Sequence, residues 1–230
     1  MKEKISVIMS VYNDEKNIAN AVESILSQTY ENFEFVILDD FSTDGTFSIL
    51  DSYHKQDSRI YLHKNKKNIG LTKSLNILIK KCKGQIIARQ DSDDVSYKER
   101  FRLQRDYLLD NDLDACTTLA KVKNSNKVIP NISQYLNPKL VIKYKNPFIH
   151  GSLMMYTEVL KKIGMYDENF YYAQDFKLIK DLIANSYNIK IMKKVLYELN
   201  MVENISQIYK EEQSFYAQCV KKNLTPGINQ

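Results

Sequence analysis

Cysteine is scarce. The chain has three in 230 residues, Cys82, Cys116 and Cys219, far apart and odd in number. That argues against a disulfide framework and reads as reduced thiols in a cytosolic protein. With only three histidines beside them and no metal-ligand spacing, a zinc-type site has no support either. No apolar run approaches the length of a membrane span, and the N-terminus lacks the basic-then-apolar pattern of a signal peptide. The expected location is therefore cytoplasmic, with at most a peripheral contact at the inner face of the cell membrane. Internal repeats and low-complexity segments are absent. Charge of one sign is not in great excess: the formal value is +5, which suits an anionic substrate or an anionic membrane, and the lysines are scattered widely. Without a basic stripe interleaved with aromatics, nucleic acid is not an expected partner.

Composition is otherwise ordinary for a globular protein, with 43% hydrophobic and 27% charged residues. The order of elements is more telling. Ile5 to Val11 is a strongly apolar strand followed by the polar turn Tyr12-Asn13-Asp14-Glu15, and Ile18, Ala21, Val22, Ile25 and Leu26 form one helical face. A second strand, Phe33 to Leu38, closes on Asp39-Asp40 and the turn residues Ser42 to Gly45. Phe47, Ile49, Leu50 and Tyr53 mark a second helix and Ile60 to His63 a third strand. Gly70 precedes a helix carrying Leu71, Leu75, Leu78 and Ile79, which Gly84 is expected to end as a left-handed cap. Strands alternating with helices imply a parallel sheet with right-handed crossovers, whose ligands gather at the carboxyl ends of the strands.

The second half is less regular. A charged helix is predicted from about Lys98 through Leu109, and a hairpin joins Ala115–Val122 to Val128-Ile129. Pro138 and Pro147 bracket a short helix, and Gly151 to Tyr156 reads as a strand. Thr157 is expected to cap a helix ending near Gly164, a further helix begins near Asp175, and Ile189 to Leu199 is a strand.

The chemistry concentrates in Ile86-Ile87-Ala88-Arg89-Gln90-Asp91-Ser92-Asp93-Asp94, a buried strand ending in three carboxylates within four residues. At alternating positions Asp91 and Asp93 project the same way, and like charges that close repel unless a cation compensates them. Oxygen ligands suit Mg²⁺ or Mn²⁺, completed by phosphate oxygens. An acidic surface turn is the alternative; a calcium loop lacks its glycine and closing glutamate.

With these segments in place, the chain resembles the family 2 glycosyltransferases, inverting nucleotide-sugar enzymes of the GT-A fold. The resemblance rests on Ser6–Asn13, Ile25–Tyr30, Phe35–Thr46, Asn68–Leu71 and Ala88–Asp94. Asn146–Ser152 and Gly164–Glu168 are similar to members that build bacterial surface polysaccharides. It implies an α/β fold: a Rossmann-like, mostly parallel sheet with helices on both faces, plus a small mixed acceptor-side sheet. Residues 1–200 form one domain under this reading, with 1–97 the nucleotide-binding half, 98–200 the acceptor half and 201–230 a C-terminal helical tail.

The implied roles follow residue by residue. Ser10, Val11 and Tyr12 flank a uracil ring, Tyr12 stacking on it or else simply packed. Asp40 accepts the imide N–H, which the uracil of a UDP-sugar or a thymine provides and neutral cytosine does not, or else serves as a helix cap or turn residue. Glu15 and Lys73 serve the nucleotide and diphosphate, or a helix start and a solvated surface. Asp91 and Ser92 belong to the donor site, Asp93 holds the metal (Mn²⁺ or Mg²⁺), and Asp94 supports the loop. Asp175 is the general base for the acceptor hydroxyl of a glycan or lipid-linked acceptor, or else an N-terminal helix cap. His150 and Ser152 are expected near the acceptor or diphosphate.

Two departures stand out. Gln174 occupies the place of a usual glutamate. Tyr197 to Ser206 lacks the arginine and histidine that close over the donor phosphates in many relatives, so Lys193 or Lys194 is expected to substitute, or the metal to carry more of the affinity. The chain is also short for the family, so an acceptor or membrane-docking segment is expected to be absent or supplied by a partner. These departures support one alternative, a non-catalytic nucleotide-sugar-binding subunit of an assembly complex. A nucleotidyltransferase would need a glycine-rich basic loop where Tyr12–Glu15 stands.

Overall fold

A computed structural model describes residues 3–201 and 209–227. Among these residues nine strands share one sheet: β1 (Ile5–Val11), β2 (Phe33–Asp39), β3 (Ile60–Lys64), β4 (Ile86–Arg89), β5 (Val95–Ser96), β6 (Ala115–Val122), β7 (Val128–Ile129), β8 (Met154–Tyr156) and β9 (Ile189–Leu199). The spatial order is β3-β2-β1-β4-β8-β6-β9-β5, with β7 paired to β6. The first four strands are mutually parallel; β8 joins β4 and β6 antiparallel, and β6 and β9 run parallel. The mixed acceptor-side portion therefore continues the parallel portion without a break.

Among the described residues the α-helices are α1 (Ile18–Leu26), α2 (Thr46–Gln56), α3 (Leu71–Lys81), α4 (Arg100–Asp110), α5 (Pro138–Val141), α6 (Thr157–Lys162), α7 (Gln174–Ala184) and α8 (Lys210–Lys222). Alternation along the strands divides the core in two. Ile5, Val7, Met9, Phe35 and Ile37 face α1, α2 and α4, packing with Ile18, Ile25, Leu50 and Phe101. Ile8, Val36, Leu38 and Ile87 face α3, α6 and α7, packing with Leu75, Ile79, Leu160 and Ile179. Cys219 and Val220 of α8 are buried in that second layer, so the helical part of the tail that is described is docked. Positions 202–208 of the expected tail lie outside the described residues.

Three local expectations change. Gly84 is not left-handed; α3 ends at Cys82 in an extended conformation. A Cβ on Gly84 would lie 2.5 Å from the Lys4 carbonyl and 2.7 Å from the Ser6 nitrogen, so the position serves close backbone approach. Gly84→Ala is expected to lower stability by about 1–3 kcal/mol in urea unfolding, because both obstacles are backbone. Thr157 lies inside α6 and gives its hydroxyl to the Gly84 carbonyl at 2.7 Å instead of capping. The segment from Gly151 starts as a 3-10 turn (His150–Ser152) and becomes strand only at Met154. Gly164, with φ of 89°, follows α6 as expected.

Candidate active site

The strand tips converge as the topology requires. At the end of β1, Ser10 and Val11 are buried, Val11 within the core, while Tyr12 emerges 49% exposed. The turn after it is laced to the turn after β2. Asn13 N–H donates to Ser42 Oγ at 3.0 Å, Thr43 N–H to Asn13 Oδ1 at 2.8 Å, and Asp14 N–H to Thr46 Oγ1 at 2.8 Å. Glu15 accepts from Gly45 N–H at 2.7 Å. Its carboxylate thus meets the N-terminal end of α2, not of its own helix, a placement the helix dipole favours.

Asp39 holds its own turn, accepting from Ser42 N–H at 2.9 Å. Asp40 is almost fully buried and grips the turn before α3: Gly70 N–H donates to it at 2.8 Å, Ile69 N–H at 3.0 Å and Asn65 Nδ2 at 2.7 Å. Three donors leave about one of a carboxylate's four acceptor sites. Lys73 is exposed on the first turn of α3.

The acidic turn after β4 joins this rim through Ser92, whose hydroxyl donates to Asp14 Oδ2 at 2.7 Å. Asp91 pairs with the buried Arg89 guanidinium at 2.5 Å, and its N–H donates to Tyr197 Oη at 3.2 Å. Asp94 is buried, accepting from Asn200 N–H at 2.7 Å. Burial, then the charges of Asp91 and Asp14, push the Asp93 carboxyl up to about 7. Burial, then Asp91 and Asp93, push Asp94 up as well. Beneath the turn lies Arg100, fully buried and pulled down to about 10 by that burial. Its guanidinium donates to Ser96 Oγ at 2.7 Å, the Arg89 carbonyl at 2.8 Å, Gln104 Oε1 at 2.9 Å and Gln90 Oε1 at 3.2 Å. Arg100→Leu strands several buried acceptors, each costing about 1–3 kcal/mol, so a loss of at least about 3 kcal/mol is expected in urea unfolding.

Asp175 meets this turn from the second half. It sits in the first turn of α7, just inside the N-cap residue Ala173, which is left-handed (φ 52°), so it is a first-turn acid at the positive end of the helix dipole rather than the cap itself. Asn146 Nδ2 donates to Asp175 Oδ2 at 2.8 Å, while Asn146 Oδ1 accepts from Phe148 N–H at 3.0 Å. One cleft of about 400 Å³ is lined by Asp91, Asp93, Asp94, Gln174 and Asp175, together with His150, Gly151 and Leu199 to Met201. His150 lies beside Tyr166, its Nε2 2.7 Å from the Tyr166 hydroxyl, and burial pushes its pKa down.

Other expected members stand apart. Ser152 is wholly buried, bridging the Ile149 carbonyl and Thr118 N–H at 3.0 Å each, and does not line the cleft. Neither Lys193 nor Lys194 lines it; Lys193 lies over the Tyr135 ring. Of the Tyr197–Ser206 stretch, residues 202–206 fall outside the described residues. Asp14, Tyr197 and Asn146 are the members that sequence reasoning does not single out. Asp14 lies within the polar turn after β1, Asn146 within a segment that carries the family resemblance, and Tyr197 at the start of the stretch that lacks the arginine and histidine of many relatives.

The donor set fits a hard divalent cation. Among the described residues no three side chains are arranged to hold a metal by themselves. Asp93 with Asp91 offers one or two carboxylate ligands, the usual protein share for Mg²⁺ when phosphate oxygens complete the shell. The crowding of Asp14, Asp91 and Asp93 leaves negative charge that such an ion would balance.

Comparison with known proteins bears on the family and the fold. The family model "Glycosyl transferase family 2" matches residues 6–164. A putative glycosyltransferase, EpsE of Bacillus subtilis, is 36% identical over 171 residues, which are 71% of this chain and 60% of that protein. The O-antigen biosynthesis glycosyltransferase WbnJ of Escherichia coli is 34% identical over 195 residues, covering 82% of this chain and 75% of WbnJ. In three dimensions, the crystal structure of S. aureus TarS 1-349 in complex with UDP-GlcNAc superimposes with a TM-score of 0.79 at 23% identity. The match covers 94% of this chain and 65% of that one, and shows the shared fold. The chain thus spans under two thirds of the length of some of these relatives.

Proposed function

The chain belongs to glycosyl transferase family 2, and from that premise we propose that it transfers a sugar, with inversion, from a nucleoside-diphosphate donor to a hydroxyl of a glycan or lipid-linked oligosaccharide. The donor is a UDP-sugar in this reading. The observation that carries it is the single cleft shared by the acidic turn Asp91–Asp94 and by Asp175.

Tyr12 offers the stacking face for the base and Asp40 its remaining acceptor site for the imide N–H. Asp91, steadied by Arg89 and Tyr197, hydrogen-bonds the ribose, while Ser92 ties that turn to Asp14. Asp93, with Asp91 beside it, would hold Mn²⁺ or Mg²⁺, which when bound offsets the charge on the departing diphosphate. Asp175 takes the acceptor proton as the new bond forms at the sugar C1, and the Asn146 amide fixes the carboxylate for that task. The O-antigen role of WbnJ supports a surface glycan as the product.

Calorimetric titration with UDP, GDP and dTDP, with Mn²⁺ and with EDTA, tests the donor half of this reading. UDP is expected to bind, and EDTA to weaken it. A UDP-sugar panel with Mn²⁺ should then show transfer or slow donor hydrolysis. Absence of both, from a protein folded by circular dichroism, would overturn it.

A further inference from the structure

The scatter of lysines hides one asymmetry. Between Asp114 and Glu158 there are six lysines and no carboxylate, so this stretch alone accounts for the whole positive excess of the chain. Within it, Ile132, Tyr135, Leu136, Leu140 and Tyr144 are each between 52% and 74% exposed. Other exposed large side chains on the described surface are spread along the sequence, whereas these five fall within 13 residues.

The segment is ordered by its inner face. Ser133, Val141 and Ile142 are buried, and Asn137 Oδ1 accepts from Lys139 N–H at 2.9 Å to start α5. Its outer face is therefore left apolar by a fixed backbone. Lys139, Lys143 and Lys145 are exposed along the same segment, and Lys193 adds a fourth charge, its Nζ 4.6 Å from the centre of the Tyr135 ring.

We propose that this face, centred on Leu140 and Tyr144, docks the protein on an anionic lipid bilayer. Aliphatic side chains enter the acyl boundary, tyrosines sit at the headgroup level and lysines meet anionic headgroups. A symmetric second copy would set lysines against lysines. A polyphosphate chain has no use for Ile132, Leu136 and Leu140, which offer no hydrogen-bonding edge. The segment runs directly into Asn146, the partner of Asp175, so docking would bring the base toward the membrane that carries a lipid-linked acceptor. That last link rests on the proposed function; the docking does not.

Vesicle co-sedimentation without donor or acceptor tests it, using one part phosphatidylglycerol to two parts phosphatidylcholine against phosphatidylcholine alone. The protein should sediment with the anionic vesicles, and high salt should release it. The triple substitution Ile132→Ser, Leu140→Ser and Tyr144→Ser should weaken binding by roughly tenfold or more. Lys139→Gln with Lys143→Gln and Lys145→Gln should weaken it by about a hundredfold. Both variants should keep the parent's circular dichroism and UDP affinity. Equal binding to neutral vesicles, or binding unchanged in both folded variants, would overturn the inference. So would a dimer in sedimentation velocity that the serine substitutions abolish while vesicles bind nothing. Failure of UDP binding with vesicle binding intact would instead count against the transfer reading alone.

Discussion

Asp175→Asn is expected to leave the fold and the donor affinity in place and to lower the transfer rate by roughly 10²–10⁴-fold, the usual contribution of a general base. The replacement is isosteric, and its amide oxygen can still accept from Asn146 Nδ2, so the geometry around 2.8 Å survives. What disappears is the capacity to take a proton. Single-turnover kinetics beside UDP calorimetry separates the two effects. A non-catalytic nucleotide-sugar-binding subunit would show unchanged binding and nothing to lose, while a structural Asp175 would lower the unfolding midpoint. Undiminished transfer by the variant would remove Asp175 from the mechanism.

Asp93→Asn should cost roughly 10³-fold in transfer, since charge stabilisation on a leaving group is worth several kcal/mol. It should also make UDP affinity the same with Mn²⁺ as with EDTA. A second readout needs no substrate. In the folded, metal-free protein the Asp93 carboxyl stands near 7 against an ordinary 3.8. The folded state then binds more protons than the unfolded one between those values, so this group subtracts stability as pH rises from about 4 to about 7. The asparagine substitution removes that loss. In EDTA its urea midpoint should exceed the parent's at pH 8 by more than at pH 5; a uniform offset across pH would mean that Asp93 is not crowded as described.

Much of the fold is legible in the order of residues alone. Continuous apolar runs locate β1, β2 and β4, which are buried on both faces, and period-3.6 patterns locate α1 to α3, each of which buries one face. Once they are known, a parallel sheet brings Tyr12, Asp40 and Asp91–Asp94 to one edge. Phe176, Ile179 and Leu182 likewise put Asp175 near the start of its helix. Where the residue pattern misleads, the deciding contact is distant in sequence. Gly84 after a helix looks the same whether it turns left-handed or lies against another strand; only the approach of Lys4 and Ser6 decides. Gly151 sits in an apolar run, yet a Cβ there would come within 2.6 Å of Asp91 Oδ2, so the glycine serves close approach to the acidic turn. Glu15 precedes α1 but serves α2, and Asp14 reaches across to Ser92 in the acidic turn after β4. Buried Arg100 gives no periodic signal, since its partners Gln90 and Ser96 are polar too.

The stitching of Asn13 to Ser42 and Thr43, of Asp14 to Thr46 and Ser92, and of Glu15 to Gly45 makes three chain reversals into one stiff collar. An incoming nucleotide would meet a cradle whose shape is already set, so little disorder is frozen out on its arrival. By the same token Asp14→Ala would not slacken a single loop. It would unfasten the Ser92 hydroxyl and the Asn17 amide together, and its damage to nucleotide affinity should exceed that of either tie cut alone.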